Sequence, residues 1–146
     1  MSDFATTATS VREALLSQGF FRLVGAEVLD IEPGVVVTRV AKRPELLQHN
    51  GLFHGGVLAF LIDVTTTAAA GTLVDREKQL VLTAEYKLNL LAPSVGERLT
   101  CRAEVIKPGR RLTVVDAKVH CLTNGAEKLV AVALATIASV ERERLG

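Results

Sequence analysis

Residues 48–63 read QHNGLFHGGVLAFLID and hold an imidazole, two adjacent glycines and one carboxylate. Their types and spacing suit acyl transfer. If His54 stands at or just before a helix start, the N–H groups of Gly55 and Gly56 belong to a first turn that has no intrahelical acceptors for them. They lie at the positive end of the helix dipole, and glycine lets a ligand approach the backbone without a Cβ in the way. A carbonyl oxygen that becomes negative on attack would be stabilised there, as in an oxyanion hole. Asp63, nine residues after His54, is the candidate base or nucleophile. A carboxylate withdrawn from water is a stronger base than one in solvent, and it could activate a water or attack the carbonyl itself.

Geometry limits what one chain can do with these groups. At a rise of ~1.5 Å per residue, Asp63 lies roughly 12 Å along the helix from Gly55, too far to act on a carbonyl held by the Gly55 N–H. A two-fold axis that packs two such helices side by side and antiparallel would bring Asp63 of one subunit to the Gly55 end of the other. The helix face agrees, because Gly56, Ala59, Asp63, Thr66, Thr67 and Ala70 share a side of small or short polar residues. Thr67, one turn after Asp63, is placed to hydrogen-bond the carboxylate or an attacking water. A metal is discounted. His49, His54 and Asp63 are spaced by five and nine, which does not put three ligands on one helix face, and no second carboxylate joins them.

The elements that must position these groups are legible in the pattern. Val11, Ala14 and Leu15 recur at helical spacing and stop before Gly19, predicting a short peripheral helix from about Thr9 to Ser17. Phe20 to Ile31 and Val35 to Val40 are rich in strand formers around a Pro33-Gly34 turn, predicting a hairpin. Gly55 to Val74 has no proline and many Ala and Leu, which predicts the one long helix. Beyond it, Leu80 to Leu91, Arg98 to Lys107, Leu112 to Thr123 and Lys128 to Val140 alternate apolar and polar positions. The turn signals Pro93-Ser94-Val95-Gly96, Pro108-Gly109 and Asn124-Gly125 stand between them, so four consecutive antiparallel strands are expected. A helix with so few charges cannot face water, and about six strands must wrap it in an α+β arrangement.

Composition bounds the rest. At 146 residues and 49% hydrophobic content the chain suits one domain, 1–146, with a real core. A net charge of +1 with scattered basic residues gives no reason to expect nucleic acid. No stretch approaches the ~18 apolar residues of a membrane span, and the N-terminus lacks a secretory apolar core, which points to the cytoplasm. Cys101 and Cys121 form no CxxC and read as two reduced hydrophobes in strands.

The segments GLFHGGVLAFLIDVTTTAAAG, TAEYKLNLLAPSVGERL and VIKPGRRLTVVDAKV resemble the hotdog-fold thioesterases of the phenylacetate-degradation (PaaI-like) type. The likeness runs from about Gly25 to Ala138. It rests on a glycine three residues before the His-Gly-Gly, the acid nine after the histidine, the Asn89-x-Leu91-x-Pro93 strand end and Gly109-Arg110 after the next hairpin. The resemblance implies hydrolysis of acyl-coenzyme A thioesters without a cofactor, by a homodimer or a pair of dimers. It implies that Asp63 serves as base or nucleophile. It puts Gln48, six residues before His54, where relatives hold the thioester or the water, a part that Asn50 beside it also suits. Thr83 falls at a strand position where some relatives carry a hydroxyl in the site. Coenzyme A brings phosphates, for which Lys107, Arg110 and Arg111 offer three cations around a turn. His54 would orient the loop or contact the substrate near its sulfur, and Gly56 would bind substrate beside Gly55. Two other activities fit a hotdog domain: binding acyl-coenzyme A without turnover, and hydration or dehydration. The acyl group, aryl or aliphatic, is not legible.

Overall fold

The computed structural model describes residues 3–144. The first helix, α1, spans Phe4–Ser17, longer than its apolar spacing predicts, because the Asp3 side chain accepts the Ala5 N–H and caps a polar first turn. Val11 and Leu15, one turn apart, are its buried residues. A second, short helix, α2, spans Gly19–Val24. This corrects the expected strand start at Phe20. Phe21 and Val24 are buried at a separation of three, a helical spacing that packing imposes on a stretch of strand-forming residues. Gly25, at φ +74°, ends α2 in the left-handed conformation, and strand β1 follows over Ala26–Glu32.

Strand β2, Val35–Ala41, pairs antiparallel with β1 across the Pro33-Gly34 turn. The long helix α3 spans Gly55–Gly71, and eleven of its 17 residues are buried. Two buried threonines tie it to the first hairpin. Thr65 and Thr38 hydroxyls meet at 2.7 Å, and the Thr72 hydroxyl accepts the Gly34 N–H at 2.8 Å while donating to the Ala69 carbonyl. Strands β3 (Gln79–Leu90), β4 (Arg98–Lys107), β5 (Leu112–Thr123) and β6 (Ala126–Glu141) complete the sheet.

All six strands form one antiparallel sheet in the order β1-β2-β4-β5-β6-β3. As expected, it wraps α3. The concave face presents alternate residues such as Val36, Leu99, Ala103, Val115, Ala117 and Ala135, all fully buried against the helix. Small side chains at the strand centres let the helix lie close. Sequence neighbours β3 and β4 are not paired, however. Strand β3 lies at the sheet edge beside β6, and residues 91–97 cross the mouth of the sheet rather than making a hairpin. Ser94 in that crossing is buried. Its carbonyl accepts the Phe53 N–H at 3.2 Å and its hydroxyl donates to the Phe53 carbonyl, which anchors the residue that leads into α3.

Cys101 and Cys121 are free and buried. Burial pushes the Cys101 thiol up to about 12, against a smaller opposing hydrogen bond from Thr65, and burial also raises Cys121. Gly96 closes the crossing: a Cβ there would stand 2.1 Å from the Leu122 carbonyl oxygen, which accepts the Glu97 N–H. Replacing Gly96 by alanine must shift backbone. The expected outcome is a loss of roughly 1–3 kcal/mol, seen as a fall of about 4–10 °C in Tm by calorimetry; an unchanged Tm would show that the crossing is not held as described.

Candidate active site

The N-terminus of α3 is built from three hydrogen bonds outside it. The Phe53 N–H reaches the Ser94 carbonyl, the His54 N–H reaches the Leu46 carbonyl at 2.9 Å and the Gln48 N–H reaches the Leu52 carbonyl at 2.8 Å, the last two forming the β-bridge between Leu47 and Phe53. Leu46 and Phe53 are buried beneath, so the exposed His54 sits on a fixed base. His54 is the N-cap residue, with an extended backbone at φ −63° and ψ 136°. Its Nδ1 accepts the Gly56 N–H at 3.0 Å. Hence Gly56 is not a free first-turn donor in this arrangement, and His54 is a helix cap whose Nε2 is left to carry the ring proton. The Gly55 N–H has no acceptor among the described residues.

Gln48 and Asn50 are engaged in the loop before the helix. The Gln48 side-chain oxygen accepts the Asn50 N–H, and its backbone carbonyl accepts the Gly51 N–H at 3.0 Å. Gly51 adopts φ +79°, the left-handed turn expected after Asn. Both side chains therefore lie in a turn, and the Gln48 amide nitrogen has no acceptor among the described residues.

Asp63, Thr67 and Thr83 come together. The Thr83 hydroxyl donates to Asp63 Oδ1 at 2.6 Å, Thr83 and Thr67 hydroxyls meet at 2.8 Å, and Thr67 Oγ1 lies 2.8 Å from the Asp63 carbonyl. Two hydroxyl hydrogens serve three contacts. With the Thr83 hydrogen on the carboxylate, the Thr67 hydrogen is shared between Thr83 and the Asp63 carbonyl oxygen. This array joins α3 to edge strand β3, leaves Asp63 half-buried, and gives the carboxylate no cationic partner among the described residues.

Asp63 lies on the wall of a cavity of about 880 Å³ bounded by α1, α2, α3 and β3. The open strip of α3 is Gly56, Ala59, Phe60, Asp63 and Thr67. Thr66 and Ala70, expected on that strip, are covered: the Thr66 hydroxyl turns back onto the Ile62 carbonyl. Phe60 joins the strip and packs on Phe20 of α2, ring centroids 4.5 Å apart. Phe60 was readable as one turn before Asp63. Phe20 was not, since nothing local reveals that α2 folds over the helix. Lys107, Arg110 and Arg111 are exposed around the β4–β5 turn and do not line this cavity. The Arg111 carbonyl accepts the Ser139 N–H, on the same transverse line as Val81 of β3. His49 is exposed, and His120 stands on β5 opposite Thr100. Among the described residues no three His, Cys, Asp or Glu side chains gather as a metal site, and no helix is long and apolar enough to cross a membrane.

Residues 50–128, more than half of the chain, match the profile of the thioesterase superfamily. The chain belongs to that superfamily. A thioesterase family protein from Silicibacter pomeroyi is 35% identical and superposes with a TM-score of 0.90 over 92% of this chain and 98% of that one. A 1,4-dihydroxy-2-naphthoyl-CoA hydrolase from Listeria monocytogenes is 28% identical over 86% of this chain and 98% of its own length. The Escherichia coli PaaI protein, 18% identical, shares the fold with a TM-score of 0.81 over 94% of this chain and 96% of that one. The protein is thus a hotdog-fold thioester hydrolase. For this thioesterase the His54 cap is open to test by stability alone. His54→Ala removes the acceptor for Gly56 and should cost about 1 kcal/mol in denaturant unfolding, whereas His54→Asn, with a cap-forming oxygen, should recover most of it. Equal losses in both variants would mean that the ring does something other than cap.

Proposed function

We propose that this thioesterase hydrolyses an acyl-coenzyme A ester in a site shared by two subunits, with Asp63 as general base and the Gly55 N–H as oxyanion donor. No metal or cofactor takes part. The observation that carries this reading is the hydroxyl array on Asp63 beside the large cavity. Thr83 occupies Oδ1, so Oδ2 is left to take a proton from a water. The water oxygen attacks the thioester carbonyl, whose oxygen becomes negative and is held at the N-terminus of α3. Collapse of the tetrahedral species expels the coenzyme A thiolate, and the proton on Asp63 passes to that sulfur. The acid product and the free thiol leave.

The two-subunit site follows from the roughly 12 Å that eight helical residues place between Gly55 and Asp63. Edge strand β3, which carries Thr83, has one side free to meet a second copy, and a dimer or pair of dimers is the form in which this reading operates. Coenzyme A as the carrier is supported by the substrate named for the Listeria relative. Gln48, through its amide nitrogen, is read as a holder of the substrate or water across the interface, with Asn50 setting its turn. Gly56 shapes the approach to Gly55. Lys107, Arg110 and Arg111 are read as rim contacts for the nucleotide phosphates. The cytoplasm, which keeps thiols reduced, is the compartment that suits the two free cysteines.

Thiol release measured on aryl, short, medium and long acyl-coenzyme A esters tests the activity. Asp63→Asn should fold normally and lose turnover by roughly 10² or more, and Thr83→Val should lose about tenfold in kcat. Unchanged rates in Asp63→Asn would move the base elsewhere. A single turnover in ¹⁸O-water separates base from nucleophile, since only a nucleophilic Asp63 would take the label into its own carboxyl group.

The shared site has its own test. Gly55→Pro removes the donor N–H at the first helical position, where proline is tolerated and the preceding residue is already extended. Mixed in equal amounts with Asp63→Asn under subunit exchange, about half the dimers should be mixed, each with one intact composite site. Roughly a quarter of wild-type activity should return. With folding and exchange verified, no recovery would mean that one chain holds a complete site.

A further inference from the structure

The cavity that holds Asp63 is chemically different at its two ends. Helix α1 runs antiparallel to α3 along it, since Ser10 contacts Arg76 at one end and Phe20, just beyond α1, packs on Phe60 at the other. The Phe60 end is apolar and aromatic. At the opposite end, past the last turn of α3, the cavity is lined by two guanidinium groups, Arg76 and Arg142, with Gln79.

These cations are placed together without an acid between them. Arg76 is half-buried, and its Nε donates to the Ser10 hydroxyl at 3.0 Å. Arg142 Nε donates to the Arg76 carbonyl at 2.9 Å, and the Arg142 N–H fixes its backbone on the Lys78 carbonyl. The terminal nitrogens of both side chains have no hydrogen-bond acceptor among the described residues, which leaves four of five N–H donors on each. Of the acids nearby in sequence, Asp75 pairs with Lys78 and Glu141 accepts from Gln79, and among the described residues neither Glu77 nor Glu143 forms an ion pair with either arginine. Burial, and after it the like charge of Arg142, push the Arg76 guanidinium below its usual value. A half-buried guanidinium held beside a second, exposed one is unfavourable unless an anion joins them, and guanidinium forks match the two oxygens of a carboxylate or phosphate. Gly71 provides room for this, since a Cβ there would stand 3.0 Å from Arg76 Nη1.

We propose that Arg76 and Arg142 form an anion site for the substrate, gripping a phosphate or carboxylate carried by the thioester roughly 12 Å from the carbonyl at Asp63. The span is that of the eight helical residues from Asp63 to Gly71. This rests on the thioesterase site described above and narrows its substrates to thioesters with an anionic group at that reach. Two parts of a thioester can supply it: the phosphates on the coenzyme A arm, or a carboxylate at the far end of the acyl chain.

Three substrates distinguish them: a neutral acyl group on N-acetylcysteamine, which has no anion; the same acyl group on coenzyme A; and an acyl chain ending in a carboxylate on N-acetylcysteamine. In Arg76→Gln/Arg142→Gln, KM should rise about tenfold to a hundredfold for an anionic substrate, with kcat nearly kept and the neutral thioester unaffected. A rise confined to the coenzyme A ester assigns the site to phosphate, and one confined to the ω-carboxyacyl ester assigns it to the acyl group. No change with any substrate, or the same loss with all three, overturns the site. Should the double variant fold poorly, Arg142→Gln alone must show the same selective rise, smaller in size, or the site falls. If the wild-type protein cleaves none of the three, the thioesterase reading of this cavity fails separately. Calorimetric titration with coenzyme A and with an eight-carbon dicarboxylate then decides: weaker binding of either by the variants supports the anion site, and equal or absent binding overturns it.

Discussion

The structure depends on one constraint, the burial of a long apolar helix that has no charged face to give to water. Eleven of the 17 residues of α3 are buried, and a single curved antiparallel sheet supplies the cover. Fully covering an aliphatic side chain of this kind contributes about 1.5–3 kcal/mol, so Leu58, Leu61 and Ile62 alone bind helix and sheet firmly. Small strand residues such as Ala103, Ala117 and Ala135 let the sheet close tightly. The helix is left open only along the strip that carries Gly56, Phe60, Asp63 and Thr67, and the cavity stands there.

That enclosure also determines how the positive end of the helix can be used. The chain reaches Gly55 through Leu46, Phe53 and His54, each held by backbone hydrogen bonds or burial. The crossing from β3 to β4 provides one of the anchors through Ser94. A rigid approach means that the dipole end and its unclaimed Gly55 N–H point in a defined direction before any ligand arrives, which is what preorganised electrostatic stabilisation requires. His54 takes one of the two glycine donors for its own cap, so the helix end is both stabilised and left with a single open donor.

Asp63 is held differently. Its carboxylate is met by the neutral Thr83 hydroxyl of β3, which Thr67 of α3 contacts in turn, rather than by an arginine, although two arginines line the same cavity. A paired Asp63 would be a structural ion. With only Thr83 on one oxygen, it keeps a lone pair to accept a proton, and its position depends on strand β3 remaining in register with β6.

Much of this was legible in the sequence, for physical reasons. Period-2 alternation and turn residues located β2 to β6 closely, and the stretch after His54-Gly55-Gly56, with Asp63 as its one charge up to Val74, required a wrapped helix with an N-terminal donor and a mid-helix acid. Helical periodicity put Thr67 beside Asp63. Sequence alone misread residues 20–24, because Phe-Phe-Arg-Leu-Val has strand propensity and only packing of Phe21 and Val24 makes it helical. It also gave no sign that β3 crosses to the far edge beside β6, since strand order depends on long-range pairing rather than local pattern. The meetings of Thr83 with Asp63, Phe20 with Phe60 and Arg76 with Arg142 join residues separated by 20, 40 and 66 positions, and only the closed fold could decide them. Local interactions determine which elements form and which groups they carry; the contacts among distant groups exist only once burial has fixed where every element lies.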